Sequence, residues 1–110
     1  MKPSIAWLIL FVAGLFETGW AIGLKYSDGF SKLWPSLITI ICMAISIWLL
    51  SVSIKVLPVG TSYAVWTGIG AVGTAILGMF LFSESREILK ILFIVMIVAG
   101  LVGLRFVEKG

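Results

Sequence analysis

A chain of 110 residues in which 61% of side chains are hydrophobic and 12% charged, with a mean hydropathy of +1.20, carries more apolar surface than a soluble domain of its size can bury. The eight Lys and Arg residues outnumber the five Asp and Glu, but they are scattered among loops and ends and form no basic stripe, which excludes a nucleic-acid-binding surface. What remains is an all-α membrane protein, in which each span needs about 20 residues to cross about 30 Å of hydrocarbon.

Four segments are long enough. The first helix is expected at about 4–24, with Pro3 suited to a helix start and Lys25, Tyr26, Ser27, Asp28 and Gly29 closing it. Lys2 followed by the apolar run Ile5 to Val12 has the look of a secretory signal. That run continues through Leu24, and the rest of the chain is hydrophobic too, so it is read as a span. The second helix, about 33–53, lies between Lys32 and Lys55 with no charge inside, Pro35 in its first turn, and Ser51 and Ser53 at its polar exit. Cys42, the only cysteine, sits within it and is read as a packing residue.

The third helix, about 58–82, is uncharged and rich in glycine (Gly60, Gly68, Gly70, Gly73, Gly78). The fourth is expected at 88–107, although only 91–104 is free of charge; Lys90 and Arg105 must snorkel to the two interfaces. Short connections predict antiparallel neighbours in a compact bundle, a single domain over 1–110 with no internal repeat.

Four spans put both termini on one face. Lys2, Lys55, Arg105 and Lys109 then stand on the terminal side, and Lys25, Lys32, Arg86 and Lys90 on the other. Because Lys and Arg bias sets orientation, four against four leaves insertion undecided. Secondary transporters place their site between inverted repeats; lacking a repeat, this chain can obtain one from a second copy inserted upside down. An antiparallel, dual-topology homodimer is the expectation.

Glu17 is the one ionisable residue inside the first span. A charge at that depth costs about 2.5–3.5 kcal/mol, and intramembrane carboxylates are functional by default. Such a group can exchange a proton for a nearby cation. Helical spacing puts Ala13, Gly14, Trp20 and Ala21 on its side, and Tyr63, Trp66, Thr67 and Gly70 on one stripe of the third helix.

Trp7 and Trp34, near span ends, are read as interfacial anchors. Trp48 is undecided between lipid and pocket, with lipid favoured. Trp20 and Trp66 are assigned to a cavity, since an indole face attracts a cation and its N–H can bind a carboxylate. Ser46 can donate to the same carboxylate or bond back to its own helix. Gly68 and Gly70 around Ile69 allow a bend or close packing. Ala99, Gly100 and Gly103 form a small-residue face suited to helix association. Histidine is absent and no cluster is spaced for a metal, so neither metal nor cofactor is expected.

The stretches FETGWAIGLKYSDGF, Phe16 to Phe30, and LPVGTSYAVWTGIGAVG, Leu57 to Gly73, resemble the small multidrug resistance family, specifically its guanidinium-exporter branch. The resemblance covers nearly the whole chain. It implies proton-coupled export by an antiparallel dual-topology dimer in a bacterial inner membrane, with Glu17 of each subunit shared by proton and substrate. It also implies a pocket of Gly14, Trp20, Ser46, Tyr63 and Trp66, a hinge at Gly68, Ile69 and Gly70, and a dimer contact near Gly100. Family members that pair as obligate heterodimers exist, and the balanced loop charges argue against that here.

Guanidinium stays protonated at physiological pH and must be carried as a cation, which a carboxylate can bind bidentately. Two other readings remain open: export of quaternary ammonium or lipophilic cations, and a non-transport small membrane subunit. One carboxylate without a nucleophile or metal set offers little for an enzyme.

Overall fold

The computed structural model describes residues 1–108, which form four α-helices in the order α1 (Pro3–Ser27), α2 (Leu33–Ser53), α3 (Val59–Leu81) and α4 (Ile88–Val107). Lys109, counted above on the terminal face, lies outside the described residues. All four helices are long and apolar enough to cross a membrane.

Pro3 opens α1, where its missing N–H breaks no helical bond. Three successive left-handed residues, Asp28, Gly29 and Phe30, turn the chain into α2. Ser27 fixes that turn: its hydroxyl donates to the Leu24 carbonyl at 2.8 Å and accepts the Phe30 N–H at 3.1 Å.

Contacts between helices give their directions. Ser46 meets Ala13 while Cys42 lies opposite Gly19 and Thr39 opposite Gly23, so α1 and α2 run antiparallel. Ile69 covers Gly14, Gly70 faces Glu17, and the Tyr26 and Phe82 rings sit 5.2 Å apart, so α1 and α3 run parallel. Thr61 donates to the Glu108 carboxylate at 2.7 Å and Glu84 meets Lys90 at 3.6 Å, so α3 and α4 are antiparallel. Sequence neighbours therefore alternate in direction, as short connections require.

The helices do not close into the compact bundle expected from those connections. Helix α1 is the centre, packed against α2 on one side and α3 on the other, while the backbone of α4 comes close to α3 alone. The result is a slab of 41 × 34 × 17 Å in which α4 buries no residue. The physical reason is that lipid is as apolar as leucine, so helices gain little by hiding leucines from it and associate instead through small and hydroxyl side chains. The buried residues of α2 are Ser36, Thr39, Ser46 and Ser53, with Ile38, Ile41 and Trp48 turned outward. Thr39 and Ser53 satisfy their hydroxyls on their own helix, at the Pro35 and Leu50 carbonyls.

Because α4 stands away from α1, an apolar crevice of about 410 Å³ opens between them, walled by Phe11, Ile69 and Leu101. Arg105 lies over the Trp7 ring at 4.9 Å at its rim. Gly68 sets how closely α4 can approach: a β-carbon there would stand 2.5 Å from the Leu101 side chain.

Candidate functional site

Glu17 projects from the middle of α1 toward α3. Gly70 receives it, for a β-carbon at that position would overlap the carboxylate oxygen. Thr18, one residue on, places its hydroxyl 3.4 Å from both the Gly14 and the Gly70 carbonyls and so ties the two helices at the same level. Glu17 Oε1 is enclosed and, among the described residues, accepts no hydrogen bond. An unpaired buried acceptor costs about 1–3 kcal/mol, more when charged, which is a reason for the site to take up a proton or a cationic donor.

The carboxylate opens on a cavity of about 400 Å³. Trp20 and Ala21 line it from α1; Thr67, Gly70, Ala71, Thr74 and Ala75 line it from α3, and Glu84 stands at its far end. Trp20 Nε1 and Thr74 Oγ1 are also enclosed without a partner among the described residues. The cavity thus presents an acid, an indole with a free N–H and a threonine hydroxyl along a wall otherwise made of small residues. A small cation with several N–H donors has a carboxylate and a hydroxyl to bond and an aromatic face to lie against.

Behind Glu17 a second polar arrangement joins three helices. Trp66 Nε1 donates to Ser46 Oγ at 2.9 Å, and Ser46 donates to the Ala13 carbonyl at 2.7 Å. Ser46 is fully buried and Trp66 nearly so. In this conformation the serine serves the α1 backbone rather than the carboxylate. The Tyr63 ring stands 5.6 Å from Trp66 at an interplanar angle of 50°, and Tyr63 is 58% exposed, so its outer face is open to another molecule.

The residues picked out from the sequence therefore separate. Glu17 and Trp20 share the cavity with Gly70. Ser46, Trp66 and Tyr63 form an adjoining cluster joined to α1 through Ala13. Gly14 lies under Ile69, where a β-carbon would come within 2.6 Å of that side chain, so it sets helix spacing. Gly68, Ile69 and Gly70 belong to an uninterrupted helix. Gly100 has open space where a side chain would stand. Trp34 and Trp48 are 71% and 63% exposed and line no cavity described here.

Sequence reasoning missed Ala71, Thr74, Ala75 and Glu84. The first three were findable, because with Thr67 and Gly70 they repeat at helical spacing on one side of α3; Glu84 lies in a connection where periodicity says nothing.

Residues 5–97 match the family described as Small Multidrug Resistance protein. The chain is 59% identical over 101 residues to a protein of Yersinia pseudotuberculosis named guanidinium exporter, covering 92% of this chain and 97% of that one. Proteins of the same name from Proteus vulgaris and Salmonella typhimurium are each 56% identical, over 92% of this chain and 97% and 96% of theirs. Four apolar helices and bacterial relatives of nearly equal extent make this a multi-pass protein of a bacterial inner membrane. On the match over most of its length, the chain belongs to the small multidrug resistance family.

Proposed function

We propose that the chain exports guanidinium, and small substituted guanidinyl cations, in exchange for protons, working as an antiparallel homodimer in which each Glu17 is occupied by either proton or substrate. The observation that carries this reading is the enclosed Glu17 oxygen at the foot of the cavity, which has no hydrogen-bond partner among the described residues. The names of the relatives support the choice of guanidinium.

The residues divide the work. Glu17 binds the cation through paired N–H donors, and Trp20 offers it an aromatic face. Ser46, Trp66 and Tyr63 flank the cavity as the adjoining cluster, with the Ser46–Trp66 bond holding the indole in place, and Gly14 sets the spacing of α1 and α3. The Gly68–Ile69–Gly70 segment is the hinge between two facing directions, and Gly100 lies at the contact between copies. Coupling follows if the occupied forms change facing direction and the empty, charged form does not. Proton and cation then compete for one carboxylate, and an inward proton gradient drives the cation out.

The test is a solid-supported membrane current measured on proteoliposomes. Guanidinium should elicit a current from the wild type and none from Glu17→Gln, while Glu17→Asp retains part of it with a shifted pH optimum. Full proton-driven transport by Glu17→Gln would overturn the mechanism. A wild type answering only to bulky quaternary ammonium ions would move the substrate class.

A further inference from the structure

The cavity does not end at Glu17. Thr67, Gly70, Ala71, Thr74 and Ala75 are spaced 3, 1, 3 and 1 residues apart, so they form one stripe along α3. At 1.5 Å per residue that stripe rises about 12 Å. Since α1 and α3 run parallel, it climbs from the level of Glu17 toward the α3–α4 connection, and there the wall is completed by Glu84.

The local backbone turns this carboxylate inward. Ser83 adopts a left-handed conformation, φ 54°, which folds the chain back over the end of α3. The N–H groups of Phe82 and Glu84 both reach the Gly78 carbonyl, at 3.0 and 3.3 Å. Gly78 leaves room for the returning side chain, as a β-carbon there would stand 2.5 Å from Glu84 Oε1. Helix carbonyls at a C-terminus already carry partial negative charge, so the acid adds to a field that attracts cations.

Its partner is held loosely. Lys90 Nζ lies 3.6 Å away, and the two side chains are 32% and 49% exposed; ion pairs of that kind are weak. Arg86 is engaged elsewhere, donating to the Met79 carbonyl at 3.2 Å and lying 4.8 Å from the Phe80 ring centre. A cation arriving from water therefore meets a carboxylate whose only ionic partner among the described residues is one displaceable lysine.

We infer that Glu84 is an outer binding station for small organic cations, which exchange with the Lys90 ammonium there before passing along the threonine-bearing stripe to Glu17. The inference rests on the reading of the cavity as a cation path. In an antiparallel dimer the two Glu84 side chains stand on opposite faces, so each face has a receiving carboxylate. Glu84 holds the cation in passing and so raises the local concentration of substrate at the mouth of the cavity.

Guanidinium titrations of wild type, Glu84→Gln, Glu84→Asp and Lys90→Gln by solid-supported membrane current test this. At an ionic strength of about 10 mM, where screening is slight, Glu84→Gln raises the half-saturating concentration about fivefold with an unchanged maximal current. Lys90→Gln lowers that concentration, and Glu84→Asp restores it. At about 300 mM salt the differences shrink. A lower maximal current without the concentration shift, or superimposable titrations at low salt, would overturn the outer station and leave the role of Glu17 standing. A wild type silent to guanidinium would overturn both.

Discussion

Gly70 and Glu17 face each other across the α1–α3 contact so closely that a single added methyl group on Gly70 would occupy the carboxylate's place, coming within 2.5 Å of its Cδ. The position of the acid is thus set by what the opposing helix lacks.

Replacement of Gly70 by alanine therefore displaces Glu17 or separates the helices. Overpacking of a close contact costs about 1–3 kcal/mol, and guanidinium-driven current should fall about tenfold or more, judged at equal amounts of reconstituted protein. Gly60 is the matched control on the same helix, since a β-carbon there meets nothing within 4 Å; Gly60→Ala should transport like the wild type. Equal currents from both variants would refute the role assigned to this contact.

The Ser46 hydroxyl both accepts from Trp66 and donates to Ala13. Ser46→Ala leaves the indole N–H enclosed without a partner and frees the Ala13 carbonyl. Hydrogen bonds between membrane helices average less than those in water-soluble cores, so a loss of about 1 kcal/mol is expected, read from unfolding in detergent. The released Trp66 ring should also weaken guanidinium binding. Unchanged affinity in a destabilised protein would make the serine a structural residue only.

Much of this arrangement was legible in the sequence, for identifiable reasons. Four spans follow from charge-free stretches matched to bilayer thickness, and Lys90 and Arg105 sit in the terminal turns of α4, where snorkelling puts them. The place of Glu17 was legible because it is the one ionisable residue inside the first span. The face by which α2 packs was not, since it is marked by Ser36, Thr39, Ser46 and Ser53, not by the leucines and isoleucines that periodicity follows. The three-helix connection through Ser46 was hidden for a related reason: its acceptor is the backbone carbonyl of Ala13, and carbonyls have no sequence signature. Glu84 depends on the left-handed turn at Ser83, a residue type that gives no warning of it.

Orientation offers a prediction that needs no site. Lys2→Gln with Lys55→Gln reduces the terminal face from four cationic residues to two, and Lys25→Gln with Lys32→Gln does the same to the other face. Each double variant should insert one way only. If the working form is an antiparallel pair, either variant alone fails to export and the two expressed together recover function. Single-orientation variants that transport by themselves would exclude the antiparallel pair.

Substitution of Gly100 is expected to separate assembly from folding. In α4 no residue is buried, and a β-carbon on Gly100 would meet no atom within 4 Å in the single chain. Gly100→Leu should therefore leave each subunit intact, with helical content and thermal unfolding in detergent within about 0.5 kcal/mol of the wild type. A small residue that lets two helices approach is what a lipid-phase interface requires, so the same substitution should abolish the cross-linked dimer and, with it, transport. The contrast is interpretable only because Gly68, on the facing side of α3, behaves oppositely. There a β-carbon would run into Leu101, so Gly68→Leu should destabilise the subunit itself. If Gly100→Leu proteins still cross-link as dimers and transport guanidinium, the contact between copies lies elsewhere on α4 or on the outward face of α2.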